Sequence, residues 1–123
     1  MRFLIMVLSN PESAAALRAL SAEEGREFGR GHLALSEALA ESGELVVSEG
    51  LADQSTAVRV QVRDGTTLTT DGPFAEVKEQ LAGFYLVECD SLERAVEYAA
   101  RVPDAAFTAV EVRPVLDLRG MEM

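Results

Sequence analysis

The chain has 123 residues, 48% of them hydrophobic and 26% charged, which fits one globular domain and excludes wholesale disorder. Its formal net charge of −10 argues against nucleic acid and anionic membranes as partners, because their phosphate groups would repel it. One cysteine and one histidine form no zinc-binding cluster and no intrachain disulfide. We therefore expect no metal or other cofactor, and a reducing, cytoplasmic location.

The amino-terminal segment predicts a strand and then a short helix. Residues 2–8 are continuously apolar, which is typical of a strand buried on both faces. The run is short and has no small-residue cleavage site, so we interpret it as a strand and not as a signal peptide. Asn10 and Pro11 then predict a helix start, and the helix is expected to run through Leu20.

A second, longer helix follows, opened by a capping box of Ser21 and Glu24 and ended by Gly43. Residues spaced by four, three and four define its core-facing side: Phe28, His32, Leu35 and Leu39. Three glycines weaken its first half by up to about 1 kcal/mol each, namely Gly25, Gly29 and Gly31. His32 is thus expected to face the core.

The middle of the chain predicts one strand over residues 45–51 and then a hairpin. The first hairpin strand alternates apolar and polar residues: Val58, Val60 and Val62 against Arg59, Gln61 and Arg63. This period of two predicts a wet face formed by the polar residues. Asp64 and Gly65 predict the hairpin turn, residues 66–70 the returning strand, and residues 71–74 a further turn.

The carboxyl-terminal part predicts a second buried strand over residues 81–88, then a helix and a last strand over residues 109–115. Asp90 and Glu93 predict the capping box of this helix, and Pro103 predicts its end. Four residues are expected on its buried face: Leu92, Ala95, Val96 and Ala99.

This order of elements predicts an α+β protein of the ferredoxin-like βαββαβ type with an extra β-hairpin. We expect a single domain over residues 1–116 and a tail over residues 117–123. The two strands that precede helices are apolar on both faces and should lie in the centre of the sheet. Because the helices cover one face only, a second copy packed sheet against sheet is expected to cover the other in a homodimer.

Residues 71–85, DGPFAEVKEQLAGFY, resemble the motif of the YCII-related family, DGPF subgroup. The resemblance extends to residues 92–100, 110–115 and 49–51 and to the opening strand, and departs from the family where residues 107–109 lack a glycine pair. It implies a dimeric α/β barrel of ferredoxin-like protomers from bacteria. It also implies a histidine–aspartate pair with the histidine at His32, and an association with extracytoplasmic-function sigma factors.

His32 and Asp71 are the predicted catalytic residues. An imidazole can act as general base or acid near neutral pH, although a core histidine bonded to a backbone carbonyl fits the same position. The Asp71 carboxylate could orient the imidazole, or could accept hydrogen bonds from the turn that follows it.

Four further residues are predicted to line a pocket: Phe74, Glu76, Lys78 and Tyr85. The alternative for the charged residues is a solvated face, and for the aromatic residues it is core packing. Cys89 has no base near it in sequence and is expected to be structural.

Two functions remain open from the sequence. The first is a domain that binds an unknown small organic molecule and uses the histidine and the aspartate for proton transfer, as in elimination or hydrolysis. The alternative is a non-catalytic module that senses a ligand or binds a protein in sigma-factor regulation. Whether the chain is an enzyme is therefore undecided by the sequence.

Overall fold

The computed structural model describes residues 1–72 and 78–117, so the predicted turn residues 73–74 and the tail from residue 118 lie outside the described part. The elements in chain order are β1 (Arg2–Ser9), α1 (Pro11–Arg18), α2 (Ala22–Ser42), β2 (Leu45–Gly50), β3 (Val58–Arg63), β4 (Thr66–Asp71), β5 (Gln80–Glu88), α3 (Leu92–Ala100) and β6 (Val110–Pro114). Two short 3-10 helices span Gln54–Thr56 and Pro103–Ala106.

Four strands form one antiparallel sheet in the order β2-β5-β1-β6, and β3 pairs with β4 in a separate hairpin. This is the ferredoxin-like α+β arrangement with an extra hairpin that the element order predicts. The central strands are β1 and β5, as expected from their apolar residues on both faces. Within the described residues, none of the helices combines the length and the apolar character needed to cross a membrane.

Capping residues begin the first two helices where the sequence predicts, whereas α1 ends at Arg18, two residues before the predicted Leu20. Asn10 accepts a hydrogen bond from the backbone of Ser13, and Ser21 and Glu24 exchange hydrogen bonds of 3.1 and 2.8 Å in the capping box of α2. Gly43 ends α2 in the left-handed region with φ of 79°. The predicted capping box of Asp90 and Glu93 is wrong, because Ser91 caps α3 through the Arg94 amide.

The core lies between α2, α3 and one face of the four-stranded sheet. Its largest fully buried side chains include Phe3 and Ile5 from β1, Leu35 and Leu39 from α2, and Val87 from β5. The predicted buried face of α3 is partly wrong. Leu92 and Val96 are exposed, while Tyr98 is buried beside Ala95 and Ala99.

Tyr98 is buried because a polar cluster satisfies its hydroxyl group. The hydroxyl donates to the carboxylate of Glu44, the residue just before β2, and Arg94 binds the same carboxylate at 3.1 Å. A hydrogen bond from Arg94 and a weaker contribution from the Tyr98 hydroxyl group lower the pKa of Glu44 to about 2. This cluster fixes α3 against the edge strand of the sheet.

The hairpin faces the opposite way from the prediction. Val58, Val60 and Val62 are 57–60% exposed, whereas Arg59 and Gln61 are half-buried. The valines share one face of the pleat, and no other described part of the chain covers that face. An alternating pattern identifies the two faces of a strand, but it cannot show which of them meets the rest of the molecule.

Candidate functional site

His32 lies on the core-facing side of α2 and contacts side chains from two other elements. Its Nδ1 atom is 2.6 Å from the hydroxyl oxygen of Tyr85 in β5. Its Nε2 atom is 2.5 Å from Oδ1 of Asp104, which belongs to the 3-10 helix Pro103–Ala106. The side chains of His32 and Asp104 are 30% and 12% exposed, so the hydrogen bond between them is largely shielded from water.

Asp104 reaches His32 because the 3-10 helix packs directly on α2. Pro103 presets the backbone at the first position of this turn. A Cβ atom at position 31 would lie 2.7 Å from Cγ of Pro103, so only glycine allows the observed approach. Gly31 therefore provides the space into which Pro103 packs, and this contact positions the 3-10 helix that carries Asp104.

We expect Gly31→Ala to be about 1–3 kcal/mol less stable than Gly29→Ala, because its methyl group overlaps the rigid Pro103 ring. Gly29 is the matched control: it lies in the same helix and has nothing within 4 Å of an added Cβ, so alanine there gains helix propensity. Urea denaturation measures the difference. Equal stabilities of the two variants would contradict the close approach.

The hydrogen bonds of His32 define its tautomer. A carboxylate only accepts, so Nε2 carries the proton that it shares with Asp104, and Nδ1 is left to interact with the Tyr85 hydroxyl group. The Phe28 ring packs edge-on against the imidazole with a centroid separation of 5.1 Å. The imidazole is thereby held in one orientation.

Tyr85 belongs to the buried face of β5 and has a perturbed hydroxyl group. Burial raises its pKa, hydrogen bonding with Ser36 lowers it in part, and the negative charge of Asp104 raises it further. Tyr85 therefore remains a neutral phenol at physiological pH.

These side chains line a cavity of about 390 Å³ between α2 and the edge of the sheet. Ser36, Ser48 and Glu49 contribute further polar groups to its wall. Gly83 of β5 also lines the cavity and packs on the backbone of β2, where an added Cβ would lie 2.9 Å from the Glu49 carbonyl oxygen. Val7, Ala82 and Phe84 add apolar side chains to the lining, and a cavity that combines apolar residues with a few polar groups is typical of small-molecule sites.

The structure brings together only some of the residues predicted from the sequence. His32 and Tyr85 share the cavity wall, whereas Lys78 is exposed just before β5 and is not among the lining residues. Asp71 is exposed at the end of β4, opposite Val58, and the carboxylate against His32 is that of Asp104. The predicted pocket residues Phe74 and Glu76 lie outside the described residues.

Sequence reasoning missed Asp104 and Ser36. Ser36 follows His32 by four positions, so helix periodicity alone could have placed it on the same side of α2. Asp104 carries no comparable signal, because it lies 72 positions away in a short 3-10 helix that the pattern of apolar residues does not reveal.

The described residues give no support to thiol chemistry or to metal binding. Burial raises the pKa of the Cys89 thiol, which leaves it protonated and unreactive. Among residues 1–72 and 78–117, no three histidine, cysteine, aspartate or glutamate side chains are grouped so that they could hold a metal ion.

The fold and the cavity define an α+β protein with a ferredoxin-like sheet and an inserted hairpin. The model of the YCII-related domain matches residues 1–119, and the chain belongs to this family. It is also similar to the uncharacterized protein R00369 of Rhizobium meliloti (strain 1021), with 37% identity over 108 residues covering 86% of each chain.

Proposed function

We propose that the protein binds a small organic molecule in the cavity beside α2 and transfers a proton there through His32, as in elimination or hydrolysis. One observation carries the proposal. The imidazole is held between Asp104 and Tyr85 by hydrogen bonds of 2.5 and 2.6 Å, in the wall of a cavity of about 390 Å³.

The arrangement supports proton transfer for a physical reason. A carboxylate on one imidazole nitrogen fixes the tautomer and stabilises the imidazolium ion that forms when the other nitrogen takes up a proton. In the proposal this orienting role, expected of Asp71 from the sequence, belongs to Asp104. The volume lies within the range of about 300–1,000 Å³ that is usual for small-molecule sites.

Binding of small organic fragments, followed by NMR, tests the proposal. His32 is the only histidine, so its ring resonances report directly on the cavity. We expect a subset of neutral fragments to shift these resonances, and Ser48→Phe, which fills the cavity, to abolish the shifts.

Val46→Phe is the matched control, because Val46 is exposed on the same strand and does not line the cavity. A screen in which no fragment shifts His32, or in which the two variants bind alike, would contradict a small-molecule site. The alternative of a non-catalytic sensing module in sigma-factor regulation stays a prediction, and binding without turnover of any fragment class would favour it.

We further propose that the protein acts as a homodimer through the sheet face opposite the helices. Leu4 pairs with Leu86 and Met6 with Phe84 across the two central strands, and all four side chains are only half-buried. A contiguous apolar patch in the centre of a sheet gains stability when another sheet covers it. Sedimentation equilibrium measures the mass directly, and a monomer at all concentrations would contradict this proposal.

A further inference from the structure

We infer that the Tyr85 hydroxyl group, and not the imidazole, exchanges the proton with the ligand. In this arrangement Tyr85, His32 and Asp104 act in series, as hydroxyl, imidazole and carboxylate do in a catalytic triad. The inference rests on the proposed small-molecule site and assigns its reacting group.

The first argument is that both imidazole nitrogens are occupied. Nε2 is bonded to Asp104 and Nδ1 to Tyr85, at distances that leave no room for a ligand atom between the partners. A ligand could reach a ring nitrogen only by displacing one of these buried groups. Tyr85 is itself among the residues that line the cavity, and its hydroxyl oxygen has hydrogen-bonding capacity beyond the contact with His32.

The second argument is the hydrogen-bonding capacity of a phenol, which has one O–H donor and two lone pairs. With Nδ1 unprotonated, Tyr85 donates its proton to His32 and offers only lone pairs to its other neighbours. With Nδ1 protonated, the imidazolium ion donates to the Tyr85 oxygen, and the O–H group is free to point into the cavity. The protonation state of His32 therefore decides whether Tyr85 presents an acceptor or a donor to a ligand.

The proton balance of the transfer follows from this series. As a ligand X–H group gives its proton to the Tyr85 oxygen, the phenolic proton moves to Nδ1 of His32, and the ligand is left as an anion. The imidazolium ion then forms an ion pair with Asp104. In reverse, Nδ1 returns its proton to Tyr85 as the phenol protonates the ligand. Because its pKa is raised, Tyr85 acts as a base only when His32 takes its proton.

The charges facing this series indicate the class of ligand. Within the described part of the chain, Glu49 and Asp104 are the carboxylates that line the cavity with His32. A ligand that enters as an anion would be repelled by both. The site therefore fits a neutral molecule with an ionisable X–H group next to an electron-withdrawing group such as a carbonyl.

Two neutral probes and ¹³C labelling of the tyrosine Cζ atoms test the inference. Dimethylacetamide only accepts hydrogen bonds, whereas phenol is mainly a donor. One hydrogen bond corresponds to roughly 1 kcal/mol, so we expect dimethylacetamide to bind about fivefold tighter below the His32 titration midpoint than above it, and phenol the reverse. Tyr85→Phe should remove both dependences, while Val46→Ala, an exposed position on β2 outside the cavity lining, should keep them.

A measurement on the wild-type protein without any ligand provides a second test that does not depend on the Tyr85→Phe variant. In the wild-type protein the Cζ resonance of Tyr85 should change with the titration of His32, and that of Tyr98, the other tyrosine, should not. A Tyr85 resonance that does not change as His32 titrates, or probe affinities that are independent of pH, would overturn the inference. Neither result would contradict the proposed small-molecule site. If neither probe perturbs the cavity at any pH, both proposals fail together.

Discussion

Gly83→Ala is expected to destabilise the protein by about 2–3 kcal/mol. An added Cβ atom would lie 2.9 Å from the Glu49 carbonyl oxygen and 3.3 Å from Cα of Gly50. These are backbone atoms of the edge strand β2, so the clash can be relieved only by separating β2 from the central strand β5. Urea denaturation, evaluated as the free energy of unfolding, measures the loss.

Gly50→Ala is the matched control for this substitution. Gly50 is the cross-strand partner of Gly83, and nothing lies within 4 Å of an added Cβ there. We expect its free energy of unfolding to stay within about 1 kcal/mol of the wild-type value, because alanine restricts the unfolded chain and adds no clash. A Gly83→Ala variant as stable as Gly50→Ala would contradict the close contact between the strands.

Leu4→Glu is expected to convert the proposed homodimer to a monomer, with dissociation at least about a hundredfold easier, because a buried unpaired carboxylate costs several kcal/mol. The protomer should keep its fold, since residue 4 is only half-buried and alternates with the buried core residues Phe3 and Ile5, so its side chain lies on the sheet face away from the core. Sedimentation equilibrium over a range of concentrations measures the association.

Leu92→Glu provides the control for the introduced charge. Leu92 is an exposed leucine in the first turn of α3, on the helical side of the sheet, where an acidic residue suits the helix dipole. We expect its association to match that of the wild-type protein. Loss of the dimer in both variants, or in neither, would argue against the sheet face as the interface.

The central position of β1 and β5 in the sheet could be predicted because local and global signals agree. Residues 2–8 and 81–88 are apolar on both faces, and such strands are stable only in the centre of a sheet, where β1 and β5 lie. The ends of α2 could also be predicted from the sequence, since Ser21, Glu24 and Gly43 act through backbone groups within a few residues.

Features that depend on contacts between distant elements could not be predicted. The face that the hairpin exposes is decided by what packs against it, and the alternation of Val58 to Arg63 is compatible with either orientation. The same reason explains why Asp71, and not Asp104, was predicted to be the carboxylate next to His32. Asp71 ends β4 and Asp104 lies in a short 3-10 helix, and only the packing of Pro103 on Gly31 brings one of them to His32.

The measurement that tests the central claim most directly is the NMR titration of the His32 ring protons in the wild-type protein, in Asp104→Asn and in Asp71→Asn. Loss of a carboxylate next to an imidazolium ion destabilises the charged form, so Asp104→Asn should move the midpoint to lower pH. Asp71→Asn should leave the midpoint unchanged. A midpoint that responds to Asp71 and ignores Asp104 would contradict the site described for this protein.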